Sequence, residues 1–209
     1  KHTRERMDAV NRQVEALFQR DSAVEKGLEK ESRSAYLQSS YIDKWAGFPL
    51  YQNTQTKYYS CGEEMFPDML EALRGAKHFI FLEYFIIEEG YMFNTILDIL
   101  EEKPVVEEVS GKQNIEFNGA SSENVTFISF GYYKKLQERG IPCVTFNPFK
   151  PLISVVMNNR DHRKIFVVDG YIGFTGGINL ADEYINKVKR FGYWKDTGVR
   201  IEGEAVWSL

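Results

Sequence analysis

Hydrophobic and polar positions change period several times along the chain, and each change marks an element. Met7, Val10, Val14, Leu17 and Phe18 recur every three to four residues among charges, the spacing of an amphipathic helix. Residues 1–40 therefore read as a helical connector, either packing one stripe on the domain or running beside a membrane. Turn signals at Ala46-Gly47, Phe48-Pro49 and Gln52-Asn53 break the stretch from Trp45 to Tyr59 into short extended pieces. Met65, Phe66, Met69, Leu70 and Leu73 restore the helical period over Gly62 to Ala76, with Gly75 as the stop. His78 to Ile87 is almost continuously apolar and aromatic, which predicts a strand covered on both faces near the centre of a sheet. Glu83 interrupts that run, so its carboxylate needs a partner or a place at the strand's open end.

Met92 to Glu102 predicts the next helix, closed by Lys103-Pro104. Residues 105–130 are rich in loop formers, with short strands expected at Ile115–Phe117 and Val125–Phe130. A helix over Tyr132–Arg139 and a buried strand over Ile141–Phe146 complete the alternation. Strand alternating with helix predicts an α/β fold with a mixed, largely parallel sheet flanked by helices. Ligands in such sheets sit beyond the carboxyl ends of the strands.

Composition narrows the classes without choosing among them. Hydrophobic residues make up 43% and charged residues 27%, enough apolar material for a packed domain. The net charge of -4 argues against a general nucleic-acid-coating role, so no nucleic acid is expected as a partner. Two cysteines and three histidines support neither a disulfide scaffold nor a metal cage, and no metal or other cofactor is expected. No run of about 18 apolar residues occurs. The chain begins at Lys1 and stops in mid-pattern at Leu209, which reads as an excised piece.

The chemistry concentrates in NRDHRKIFVVDGYIGFTGGIN, residues 159–179. Ile165 to Val168 predicts a short buried strand, Asp169-Gly170 a turn, and Tyr171 to Thr175 a returning strand. His162 and Lys164 stand two apart where the first strand begins, so both side chains project to one face, and Arg163 to the other. Gly176-Gly177 permits close backbone approach, and Asn179 precedes an expected helix running to Lys187, whose first amides favour an anion. An imidazole, an ammonium, a carboxamide and a helix start converging on one point suit a phosphate group. Taken singly, each has a plainer role: a packed histidine, a solvated lysine, a glycine loop. Asp182-Glu183 reads as ordinary first-turn acid on that helix.

His162-Arg163-Lys164, Asp169 and Gly176-Gly177-Ile178-Asn179 resemble the H-x-K-x4-D-x6-G-(G/S)-x-N signature of the phospholipase D superfamily. FIFLEYFIIEEG (79–90), NNRDHRKI (158–165), TGGINLADEYIN (175–186) and GEAVWSL (203–209) are similar to the bacterial cardiolipin synthases within it. The resemblance runs from about residue 41 to the end, except for 105–130. It implies that residues 41–209 form a catalytic half domain carrying one motif. It also implies that His162 attacks a phosphodiester and becomes a phosphohistidine. Lys164 and Asn179 would hold the non-bridging oxygens. Asp196 in YWKDTGVRI would be the carboxylate that steadies the ring, with Asp169 either catalytic or a turn residue. Gly177 stands where many members carry Ser, so backbone N–H groups would replace a hydroxyl there. Glu83 and Tyr84 would line the pocket.

On this resemblance the substrates are phospholipids, with phosphatidylglycerol as donor and acceptor, met at a bacterial membrane surface. Membrane-spanning segments would lie outside this chain. A complete site in the family takes two such motifs. The second would come from a downstream half or from a dimer mate. Two other readings stay open at this stage: a homodimeric single-motif phosphodiesterase or endonuclease, and a non-catalytic piece that binds lipid or phosphate.

Overall fold

The computed structural model describes residues 18, 20–103, 114–117, 132–145 and 162–209. The chain divides into two compact units. One comprises residues 1–54 with 203–208, the other residues 55–202 with Leu209. In the first, α1 (Ser22–Glu31) and α2 (Arg33–Ala46) follow one another across Ser32. Asp21 caps α1 through its side chain, Ser32 caps α2, and Gly47 ends α2 in the left-handed region at φ 76. Arg20 donates to Asp43 from Nε to both carboxylate oxygens at 3.0 Å and from Nη2 to Oδ1 at 2.8 Å. Most of the helical stripe expected from Met7 to Phe18 lies outside the described residues. Among the described residues, no helix is long and apolar enough to cross a membrane.

The second unit is built on a seven-stranded sheet. Its strands are β1 (Thr54–Tyr59), β2 (Ile80–Tyr84), β3 (Asn114–Phe117), β4 (Cys143–Thr145), β5 (Ile165–Val168), β6 (Ile172–Gly176) and β7 (Gly198–Gly203), in the order β1-β7-β6-β5-β2-β3-β4. β2, β3 and β4 run parallel, whereas β2–β5, β5–β6 and β6–β7 are antiparallel. The mixed α/β architecture is the expected one, with less parallel pairing than the largely parallel sheet the alternation predicted. The reason is local. Asp169 and Gly170 both adopt positive φ, 54 and 65, and Tyr171 N–H closes the turn on the Val168 carbonyl at 3.1 Å. Such a turn folds β6 straight back on β5. The strand expected at 125–130 lies outside the described residues.

Helices α3 (Gly62–Gly75), α4 (Tyr91–Glu102) and α5 (Tyr132–Glu138) fall close to where the periodicity put them. Met65, Phe66, Met69, Leu70 and Leu73 from α3 and Met92, Phe93, Ile96, Leu97 and Leu100 from α4 are buried together with Leu82, Phe166 and Phe174 of the sheet. These spacings put one apolar stripe of each helix against the strands, and burying each such side chain contributes about 1.5–3 kcal/mol. The run His78–Ile87 forms a shorter strand than its apolar length suggested. After Tyr84 the chain leaves the ladder, and Ile87 bridges instead to Leu180. That departure builds the site.

Candidate active site

Strand register brings four separated segments to one edge of the sheet. Glu83 pairs with Ile165, Ile165 with Thr175, and Gly176 with Gly198. Residues just beyond these pairs therefore lie together: Phe85-Ile86 after β2, His162–Lys164 before β5, Gly177–Asn179 after β6, and Asp196-Thr197 before β7. This is the carboxyl edge of β2, where the sequence expected a ligand.

His162 is exposed and Lys164 is 3% exposed. The Lys164 ammonium lies 3.0 Å from Nδ1 of His162 and also donates to the His162 carbonyl. The Phe85 ring sits beside both, 4.5 Å from the imidazole centroid and 5.3 Å from Nζ. Burying an ammonium is costly, and here a carbonyl, a ring nitrogen and an aromatic face compensate it. One step past the last pair in register, Lys164 stands opposite Tyr84. The apolar face formed by Leu82, Tyr84 and Phe166 thus forces the lysine to reach outward toward the histidine.

Asn179 is 2% exposed. Its Oδ1 accepts the Ile86 N–H at 3.0 Å, and its Nδ2 donates to the Tyr184 hydroxyl at 2.8 Å. Because Ile86 follows Phe85, one dipeptide joins the carboxamide to the His162–Lys164 pair. Burial chiefly raises the Tyr184 pKa, with the Asp196 charge among the smaller contributions in the same direction. Replacing Asn179 by alanine leaves a backbone N–H and a buried hydroxyl without this partner. The expected loss is about 2–3 kcal/mol of stability, measured as a lower urea midpoint.

Gly176 and Gly177 are required sterically. A Cβ on Gly176, at φ 148, would stand 2.4 Å from the Thr197 carbonyl oxygen. One on Gly177 would stand 1.9 Å from Oδ1 of Asp196. Gly177 is thus the seat of the Asp196 carboxylate, which also accepts the Thr197 N–H at 2.8 Å. The Gly177 N–H itself donates to Thr197 O at 3.0 Å, so this amide is engaged with the neighbouring strand rather than held for a ligand. On the role the resemblance implies for Asp196, Gly177→Ala is expected to displace that carboxylate and cut turnover about tenfold while stability changes by less than about 2 kcal/mol. Steady-state rates and a thermal melt check both.

Three expectations need correction. Asp169 lies at the opposite end of β5 from His162, seven residues and roughly 20 Å away by strand rise. Its carboxylate accepts the backbone N–H groups of Lys77, His78 and Phe79 at 2.8, 2.7 and 2.9 Å, so it organises the entry to β2 and does not reach the site. Burial pushes its carboxyl up, but the bonds from Lys77, Phe79 and His78 together outweigh this and leave it below the ordinary carboxylate range. The expected helix from Asn179 to Lys187 is only a 3-10 turn, Asp182–Ile185, ended by Asn186 at φ 54. It supplies no helix start for an anion. Asp182 instead caps α4, accepting Tyr91 N–H at 2.9 Å and Met92 N–H at 2.7 Å.

Glu83 and Tyr84 divide. Tyr84 is 1% exposed and belongs to the core beneath the site. Glu83 is also buried, and its carboxylate pairs with Arg163 at 3.1 Å. Arg163 is thus the buried carboxylate's partner. Phe85, Tyr184 and Trp194, whose ring lies 4.9 Å from Tyr184, were not singled out from sequence. In an aromatic-rich run nothing separates Phe85 from its neighbours, and only the strand's early end explains its place.

No family model matches the chain. It is 44% identical over 196 residues to an uncharacterized protein of Streptococcus mutans, covering 94% of this chain and 41% of that one. It is 37% identical over 166 residues to a cardiolipin synthase of Alkalihalophilus pseudofirmus, covering 77% and 31%. The chain is cardiolipin synthase-like over the stretch the two share. It spans about two-fifths or less of the length of these relatives. The fold is also that of phosphatidylserine synthase from Haemophilus influenzae, with TM-score 0.53 and 18% identity, over 74% of this chain and 34% of that one.

Proposed function

We propose that this chain is one half of a phosphatidyltransferase that makes cardiolipin from two phosphatidylglycerol molecules at a bacterial membrane. The observation that carries the reading is an exposed imidazole with a buried ammonium 3.0 Å from it, at the sheet edge where Asn179 and Asp196 also gather. With the ammonium donating to Nδ1, a neutral ring carries its hydrogen on Nε2. An arriving phosphodiester offers the ammonium a better acceptor, an anionic oxygen. Nδ1 then takes the ring hydrogen, and Asp196 is the group proposed to hold it. Nε2 is left with the lone pair that attacks phosphorus.

In the first step the Nε2–P bond forms and the P–O bond to glycerol breaks. Glycerol leaves with a proton from the histidine of a second motif, supplied by a downstream half or by a dimer mate. In the second step a hydroxyl of another phosphatidylglycerol returns a proton to that histidine and attacks phosphorus. The P–N bond breaks and cardiolipin is released. Lys164 stabilises the charge on the non-bridging oxygens in both steps, as a buried cation held in place by its contacts. Asn179 assists by fixing the Phe85-Ile86 dipeptide and by its own amide dipole.

The test is to incubate the assembled site, this chain together with the half that supplies the second motif, in micelles with phosphatidylglycerol labelled in its headgroup, with a chelator present. Free glycerol and cardiolipin in equal amounts are expected. Phosphatidic acid alone, nicked DNA, or binding without product would each contradict the reading.

A further inference from the structure

Residues 187–195, KVKRFGYWK, have no place in the chemistry above. They contain four of the chain's 26 Lys and Arg residues and no acid, in a chain whose net charge is -4. Residues 187–193 are all exposed. Val188 is 50% exposed, Phe191 68% and Tyr193 67%, and Gly192 turns the tip at φ 90. Large apolar side chains held this far out of a folded surface mark a contact site.

The loop is held at its base. Asn186 donates to the Trp194 carbonyl at 2.8 Å and accepts the Trp194 N–H at 2.7 Å, closing the segment. Its Nδ2 also donates to Glu63 at 2.8 Å. The Tyr193 pKa is raised, chiefly by the Glu63 charge. Arg190 is engaged with Glu88 at 3.7 Å and Glu183 at 3.8 Å, and Lys187 lies 4.4 Å over the Tyr91 ring. Lys189 and Lys195 stand exposed on either side of the Phe191 tip. The Trp194 ring packs on Tyr184, whose hydroxyl holds Asn179. The fixed base is thus one side chain from the site, and the Phe191 ring, 5.8 Å from that of Trp194 and 5.3 Å from the Arg190 guanidinium, stays largely exposed.

We propose that this loop docks the protein on an anionic lipid bilayer, with Phe191 and Val188 entering the headgroup boundary and Lys189 and Lys195 meeting lipid phosphates. Aromatic rings with lysines at the same level suit a membrane–water interface, and attraction to anionic lipid complements the local positive charge. A nucleic acid would use the lysines and the rings but not the aliphatic Val188. The inference deepens the phosphatidyltransferase reading: it brings the chain to the surface in which a donor with two acyl chains is held.

Co-sedimentation of the 209-residue chain with vesicles tests this. Vesicles of equal parts phosphatidylglycerol and phosphatidylcholine are expected to bind it about tenfold more tightly than phosphatidylcholine alone, and less tightly as salt rises. Phe191→Ser and Lys189→Glu are each expected to weaken binding to the mixed vesicles about fivefold or more. Both positions are exposed, so unchanged circular dichroism and urea midpoints are expected. His162→Ala is expected to bind vesicles like the parent, which separates docking from transfer. Vesicle binding that ignores both loop variants, equal binding to neutral vesicles, or loop-dependent binding of single-stranded DNA in place of vesicles would overturn the proposal, whatever the activity assay shows.

Discussion

Replacing His162 with alanine is expected to lower phosphatidyl transfer by a factor on the order of 10⁴ or more while leaving the fold standing. On the proposed mechanism His162 is the nucleophile, so its removal eliminates the covalent intermediate itself, and the remaining binding groups cannot substitute for it. The structural consequence is small because the ring is exposed and its packing partner is chiefly Phe85. The Lys164 ammonium keeps the His162 backbone carbonyl as acceptor, so the expected stability loss is about 1 kcal/mol. Single-turnover transfer measured beside a thermal melt reads both quantities. A variant that melts normally yet transfers normally would remove His162 from the chemistry. A variant that melts early would show that the ring supports the fold.

Asp169→Ala is expected to give the opposite profile: a large loss of stability, with the transfer rate per folded molecule little changed. The carboxylate accepts three consecutive backbone N–H groups, and its own N–H donates to the Phe79 carbonyl at 2.9 Å. Its removal exposes a cluster of donors at the start of the central strand. With part of that cluster open to water, the expected cost is about 2–4 kcal/mol. The pH dependence follows from the same contacts. The folded carboxyl titrates below its ordinary value, so its contribution is present above the unfolded pKa near 3.9 and is lost as pH falls through the lower folded value. Urea melts at neutral and acid pH check this: the gap between parent and variant is expected to narrow on acidification below about pH 4. A gap that stays constant would mean that the carboxylate charge is not what stabilises this turn.

The contrast between these two residues shows what the sequence could convey. Both belong to one motif, and spacing alone gives them equal standing. Strand geometry separates them, because a chain rising about 3.3 Å per residue carries Asp169 to the far end of β5. His162 and Lys164 were legible because they lie two apart at a strand's start, where alternation puts both on one face. Helices α3 and α4 were legible from their apolar stripes, and the β5–β6 hairpin from Asp-Gly. The Asp182–Ile185 turn was misread as a longer helix because its residues tolerate helix well. What ends it is Asn186, turned left-handed and tied to Trp194 and Glu63. Such contacts join residues up to 123 positions apart and leave no periodic trace. Gly177 is a similar case: the sequence shows a missing hydroxyl, and only the fold shows the carboxylate of Asp196 seated there.

The central claim, that a neutral His162 becomes covalently bonded to phosphorus, is tested most directly by trapping it. The protein is mixed with phosphatidylglycerol, quenched within the first turnover at alkaline pH, where a phosphorus–nitrogen bond on histidine survives, and digested for mass spectrometry. The account predicts a phosphatidyl adduct on the peptide carrying His162, absent from His162→Ala and discharged by added phosphatidylglycerol with formation of cardiolipin. An adduct on another residue, or full transfer activity with no adduct at any quench time, would contradict it.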